Sequence, residues 1–408
     1  MFSTTTAVTP DQIVRDLLAS SRVQSAFQFF ADRATEITEE QAAICEIPAP
    51  PFGEEARAEY LAARFRGCGL AETTIDAEGN CLALRRGANL RPLLVLSAHL
   101  DTVFPAGTNF TVRREGTKLF APGIADDGCG LVALVAIVHA LKVAEIETGG
   151  SVLFVGTVGE EGEGDLRGAR YLLTEGEWAQ EIDAFISLDG PGIEGITHRA
   201  VGSRRYRVKF TGAGGHSWGD FGVPNPVHAQ GRTVARLIAY PAPKSPRTTF
   251  NVGRVEGGAG VNCIAQESSM DVDLRSESAD ELKRLDAYFR RAAREAADDE
   301  NAARRAGTPP LELEMKLIGD RPGGETLKDA PLVRLAEEAT RALGSSTRLD
   351  CSSTDSNIAI SRGLPAITIG AGGLAANTHT LDEWYDPRGR ALALNRALLV
   401  VLGTVGMR

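Results

Sequence analysis

The chain has 408 residues, of which 43% are hydrophobic and 24% charged, and a formal net charge of −10. That is the make-up of a folded globular protein with apolar mass for two or three domains. The acidic balance, without a Lys/Arg stripe along any predicted helix, disfavours a nucleic-acid partner, and no apolar run is long enough for a membrane-spanning helix.

The opening MFSTTTAVTPDQIV has no basic stretch followed by an apolar one, so a cytoplasmic protein is expected. Helical patterns cover roughly residues 10 to 48 and 54 to 68, broken by Pro48, Pro50 and Pro51. Strands near 81 to 85 and 92 to 98, a helix from about 128 to 142, and strands at 151 to 157 and 184 to 188 then alternate as in a mostly parallel α/β sheet. The style changes near residue 199. SRRYRVKFTG, TTFNVGRVEGG, SSMDVDLRS and LELEMKLIG read as strands. NPVHAQGRTVARLIAY and the long charged segment SADELKRLDAYFRRAAREAADDE read as helices, the second with a serine cap and Glu281 in capping-box position. Strand, helix, strand, strand, helix, strand is the split βαβ order of a ferredoxin-like α+β unit. Residues 331 to 343, LPAITIG and ALALNRALLVVLGTVG resume the α/β pattern. The expected organisation is an α/β domain with helices on both sheet faces, formed by residues 1–198 and 320–408, interrupted by an α+β insert over 199–319. Six cysteines (Cys45, Cys68, Cys81, Cys129, Cys263, Cys351) without a CxxC pair suggest reduced, mostly buried thiols.

The chemistry gathers at strand ends. In RPLLVLSAHLDTVFP an apolar strand stops at His99 and Asp101, and ligands of open α/β sheets collect outside the carboxyl ends of the strands. In extended chain the two side chains point the same way, so the carboxylate can hold one imidazole nitrogen while the other faces a metal. The pair alone reads first as a capped strand end. Asp126 in GIADDGCG precedes a helix, Glu160 and Glu161 follow VLFVGTVG, Asp189 follows DAFISL, and His379 lies in NTHTLDEW. Singly these are loop charges or a helix N-terminal acid. Jointly they meet the needs of a dinuclear hydrolytic site: oxygen and nitrogen ligands, a shared carboxylate, and a further acid to act as base. Two His, two Asp and one Glu suit zinc, and without thiolates cobalt or manganese can substitute.

These segments resemble the metallopeptidase family that contains peptidase T, aminoacylase, acetylornithine deacetylase and glutamate-releasing carboxypeptidases. SAHLDTVFP is similar to its HxDxV segment, IADDGCG to ADxxxG, VGEEG to its EE pair, SLDG to its DG, GGHSWGDFGVPNP to GGHSxxP, and GGAGVNCIAQES to GGxxxNxIPxxA. The resemblance runs from about residue 40 to the end. It implies His99 and Asp189 on one metal ion, Glu161 and His379 on the other, Asp126 bridging both, Asp101 orienting His99, Glu160 as general base, and a cis peptide between Asp126 and Asp127. It further implies that the insert is a lid that also dimerises, with His216 stabilising an oxyanion, Asn262 contacting substrate and Arg275 gripping a substrate carboxylate. The plainer alternatives are a loop histidine satisfied by the neighbouring GG turn, and a surface ion pair of Arg275 with Asp273 or Glu277. His139 reads as packing, His198 and His228 receive no role, and Asp355 is expected to shape a loop near the site. Two departures stand out: Cys263, Ile264, Ala265 replace the family's IP run, and Gly128 stands where relatives often carry a basic residue.

The expected activity is a zinc-dependent aminopeptidase-type di- or tripeptidase acting as a homodimer on small peptides. The alternative within enzymes is an N-acyl-amino-acid deacylase or carboxypeptidase; outside them, an inactive dimeric binding protein.

Overall fold

The computed structural model describes residues 9–408; residues 1–8, part of the segment read for a missing leader, lie outside them. The described chain divides into two compact units. One runs to Ala200 and resumes at Glu325–Arg408; the other is Val201–Gly324.

The first unit is built on a mixed sheet whose centre is parallel. Its order is Thr73–Ile75, Cys81–Arg85, Ser151–Thr157, Leu93–His99, Ile182–Leu188, Ala366–Ile369 and Gly195–Ala200, with Arg348–Ser352 beside the last. Leu93–His99 runs parallel to both Ser151–Thr157 and Ile182–Leu188, and Ile182–Leu188 runs parallel to Ala366–Ile369. All seven residues of Leu93–His99 are buried, as the continuous apolar run requires of a strand covered on both faces. Leu94, Leu96 and Ala98 join the core under Gly128–Val143 and Arg390–Val405, while Leu93 and Val95 join the opposite core under Arg167–Thr174 and Ser356–Ser361.

The helical stretch expected over 10 to 48 is three helices, Pro10–Ala19, Ser21–Asp32 and Ala34–Cys45. No proline or glycine marks the breaks at Ser20 and Arg33. Each segment instead turns its own apolar residues inward, Val14 and Leu17, then Val23, Ala26 and Phe30, then Ile37 and Ile44, so packing rather than local propensity sets the joints. A small antiparallel sheet, ordered Leu374–Ala376, Trp384–Asp386, Lys118–Phe120 and Arg113–Glu115, carries no strong period in sequence and was not expected.

The second unit has four antiparallel strands ordered Thr248–Gly257, Glu267–Ser276, Gly202–Thr211 and Glu312–Arg321, with helices Pro226–Ile238 and Ala279–Ala302. This is the ferredoxin-like order. Ser278 caps the second helix by accepting from the Glu281 amide at 3.3 Å, and Phe210, Leu274, Leu285 and Phe289 fill a core of its own.

Phe185, in the central strand Ile182–Leu188, is fully buried in the core under Arg167–Thr174 and Ser356–Ser361. Phe185→Ala should therefore cost about 3–5 kcal/mol, measured as a lower urea midpoint with unchanged slope. A loss below about 1 kcal/mol would show instead that this core relaxes freely.

Candidate metal centre

Parallel strand direction places four of the six residues at one edge. His99 is the last residue of its strand, Asp189 directly follows Leu188, and Glu160 and Glu161 follow the strand ending at Thr157, whose Cα is the register partner of His99. Asp126 precedes helix Gly128–Val143 at the same edge. His379 comes from the turn between Leu374–Ala376 and Trp384–Asp386; pairing of Trp384 with Phe120 ties this turn to the segment leading into Asp126.

The distances are those of a shared donor set. His99 Nε2 lies 2.9 Å from Asp126 Oδ1, and His379 Nε2 lies 3.1 Å from Asp126 Oδ2 and 2.8 Å from Glu161 Oε1. Ligand atoms of His99, Asp126 and Asp189 fall within 4.8 Å of one another, as do those of Asp126, Glu161 and His379. Asp126 belongs to both groups, one oxygen turned toward each imidazole. Glu160 belongs to neither; its donor atom groups with His99 and Glu161.

Electrostatics explains what such a cluster needs. Burial pushes the Asp189 carboxyl well above the usual range, and the adjacent Asp126 charge pushes it further. Burial would lower His99, but hydrogen bonds to Asp101 and Asp126 outweigh it and hold the imidazole well above its ordinary value. Hydrogen bonds to Asp126 and Glu161 raise His379 to about 10. Burial opposes ionisation of Asp126, yet its two imidazole partners draw it below the ordinary carboxylate range. The carboxylates thus recruit positive charge from protons. A pair of divalent cations supplies the same charge to the same atoms, and the all-oxygen-and-nitrogen donor set fits them.

Three further buried carboxylates hold the donors in place. Asp101 accepts from the amides of Glu160 at 2.9 Å and Glu161 at 2.8 Å. The nearest partner of His99 Nδ1 is the Asp101 carbonyl oxygen at 3.0 Å, with the carboxylate at 3.5 Å, so backbone and side chain of Asp101 together face the ring. Asp127 accepts from the amides of His99, Gly130 and Gly190. Glu383 accepts from those of Gly123, Ala125 and Asp126. Burial raises the Asp127 carboxyl well above its ordinary value and Glu383 to about 7, against the pull of these amides. The peptide bond between Asp126 and Asp127 is cis. At Gly128, the departure noted above, a Cβ would stand 2.3 Å from the Cys45 sulfur, so the packing of this chain leaves no room there for a larger side chain. Glu383 escaped the sequence reading. Its only signal was an acid four residues beyond His379 in HTLDEW, which by itself is an ordinary loop charge. Asp355, buried beyond the strand end, accepts from the Thr157 hydroxyl.

The second unit carries the other expected site residues. His216 is exposed, and its Nδ1 accepts from the amides of Trp218 at 3.2 Å and Gly219 at 3.3 Å, which leaves the proton of the neutral ring on Nε2 as an outward donor. His216 is the register partner of Cys263, beside Asn262, whose carbonyl accepts from Ser217. Arg275 donates to Asp273 at 2.6 Å, the ion pair its sequence position allowed. His139 packs edge-on against Phe29, and His198 Nδ1 faces the Thr326 carbonyl at 2.7 Å. Four of the six thiols are buried, while Cys263 is exposed and Cys351 half-buried.

Two donor groups sharing one carboxylate at a sheet's carboxyl edge define a dinuclear metallohydrolase class of centre. The model of Peptidase family M20/M25/M40 matches residues 95–400, and the chain belongs to that family, whose members are metal-dependent hydrolases of peptide or amide bonds. It is 25% identical to the Bacillus subtilis protein YqjE over 360 residues, 85% of this chain and 88% of that one. It is 28% identical over 226 residues to a succinyl-diaminopimelate desuccinylase of Leptothrix cholodnii, 51% of this chain and 57% of that one. A tripeptidase from Staphylococcus aureus shares the fold with a TM-score of 0.74 at 21% identity, over 90% of this chain and 97% of that one. Among the described residues no helix is long and apolar enough to cross a membrane.

As candidate ligands, the two imidazoles would bind a cation only in competition with protons. His379, at about 10 in the ion-free protein against about 6.5 unfolded, holds a proton across neutral pH that a cation must displace. Affinity for Co²⁺ should therefore rise steadily as pH is raised toward 10, with proton release detectable by calorimetry in buffers of different ionisation enthalpy. A pH-independent affinity would exclude the imidazoles as ligands.

Proposed function

We propose that the protein is a two-metal aminopeptidase-type di- or tripeptidase, with His99 and Asp189 holding one ion, Glu161 and His379 the other, and Asp126 both. The observation that carries this reading is the pair of donor groups meeting at Asp126 with Glu160 alongside. Two divalent ions held there, proposed to be zinc, would supply Lewis acidity for the scissile carbonyl and lower the pKa of the attacking water. Glu160, buried at the sheet edge with its amide fixed by Asp101, takes the proton from the attacking water at a carboxylate oxygen and returns it to the leaving nitrogen. Asp101 keeps both Glu160 and the His99 ring oriented. The outward Nε2–H of His216 suits it to polarise the carbonyl oxygen, Asn262 to contact substrate, and Arg275 to bind a carboxylate after exchanging Asp273 for it. The insert over about 199–319 is proposed as lid and dimerisation unit of a cytoplasmic homodimer.

The similarity to a desuccinylase supports a second reading, removal of an acyl group or of a carboxyl-terminal residue, which the same metal chemistry and Arg275 serve equally. Free tripeptides, amidated tripeptides and N-acyl amino acids separate the two. The first reading expects turnover of peptides with a free amino terminus, and acceptance of blocked ones alone defeats it. Glu160→Gln should retain both ions and lose at least about 100-fold in kcat; unchanged turnover would remove Glu160 from the mechanism. Light scattering is expected to give a dimer.

A further inference from the structure

We infer that the two metal positions have separate keepers: Asp127 fixes the position made by His99, Asp126 and Asp189, and Glu383 fixes the one made by Asp126, Glu161 and His379. The inference rests on the ligand assignment proposed above and assigns to two non-ligand carboxylates the geometry of one ion each.

The partners of Asp127 map onto one group. Its Oδ2 accepts from the amide of His99 itself at 3.2 Å, and its Oδ1 from Gly190, the residue after Asp189, at 3.2 Å and from Gly130 at 3.0 Å. Asp127 is also covalently joined to Asp126. One side chain therefore spans the end of Leu93–His99, the end of Ile182–Leu188 and the start of Gly128–Val143, which between them carry all three ligands of that group. Among the described residues its side-chain bonds reach neither the Glu161 loop nor the His379 turn. The arrangement is close-packed: a Cβ on Gly130 would lie 2.3 Å and 2.4 Å from the two Asp127 oxygens, so only glycine lets the carboxylate reach its three donors.

Glu383 serves the other group. Its carboxylate accepts from Gly123 at 3.1 Å, Ala125 at 2.8 Å and Asp126 at 3.1 Å, which fixes the loop that presents Asp126. Its own amide donates to Thr380, the neighbour of His379, at 3.2 Å, and its carbonyl accepts from Ala121 at 3.2 Å. A shift of Glu383 moves the His379 turn against Asp126 and leaves the His99 and Asp189 strand ends tied to each other through Asp127. Both side chains are fully buried and are met by N–H donors. An Asn or Gln of equal size must turn an NH₂ toward an N–H, so the tie is lost without a change of volume.

The test is titration of the ion-free full-length protein with Co²⁺ alone, followed by calorimetry and by visible absorption. Asp189→Asn and Glu161→Gln, which each strip one ligand, mark the signal of each ion. Asp127→Asn should bind the Glu161-side ion as wild type does and the Asp189-side ion about 10–100-fold more weakly, with Glu383→Gln giving the reverse. If both variants bind both ions normally, weaken the same ion, or weaken both ions equally, the division is wrong. Wild-type protein taking up fewer than two ions would instead sink the two-metal reading beneath it. Gly130→Ala, which displaces the Asp127 carboxylate, and Glu383→Asp, which shortens the other tie, give the same two readouts if either amide variant fails to fold.

Discussion

The structure depends on like charges being held together. Asp101, Asp126, Asp127, Asp189, Glu160 and Glu161 gather at one edge of a sheet, and four of the six, Asp101, Asp127, Glu160 and Glu161, are buried. Two unit charges 4 Å apart repel by about 4 kcal/mol at the effective dielectric of a protein surface. A few such pairs rival the whole stability of a domain, about 5–15 kcal/mol. The protein offsets this with backbone amides aimed at Asp101, Asp127 and Glu383, with the imidazoles of His99 and His379 on Asp126, and with a demand for cations at the remaining oxygens.

The architecture supplies the rigidity this needs. Parallel neighbours deliver His99, Glu160, Glu161 and Asp189 to one edge because their chains all run the same way. Two apolar cores clamp the sheet from both faces, so the strand ends cannot move independently. His379 is the exception, coming from a turn on the small antiparallel sheet and half-exposed, with 51% of its side chain accessible. It is the imidazole of the cluster most open to solvent, and its raised proton affinity follows from facing two carboxylates with burial a lesser opposing cause than it is for His99.

Hydrolysis asks for a further asymmetry. Glu160 and Glu161 are adjacent in sequence, and both amides are pinned by the two oxygens of Asp101. One clamp therefore positions both acids: Glu161 reaches His379 and groups with Asp126, while the Glu160 donor atom lies within 4.8 Å of those of His99 and Glu161 and outside the two groups that share Asp126.

Much of this was legible in the chain itself. Apolar runs four to seven residues long fixed the parallel strands, the alternation after residue 199 marked an antiparallel unit, and SAHLD, IADD, GEEG, SLDG and NTHT gave the residues that converge, because strand direction and local period are properties of short segments. What tertiary structure alone decided is how those segments are tied. The breaks at Ser20 and Arg33, the small sheet carrying His379, and the buried carboxylate of Glu383 beneath Asp126 all arise from contacts between residues far apart in sequence, some more than 250 positions, and such contacts leave no pattern in the neighbourhood of either partner.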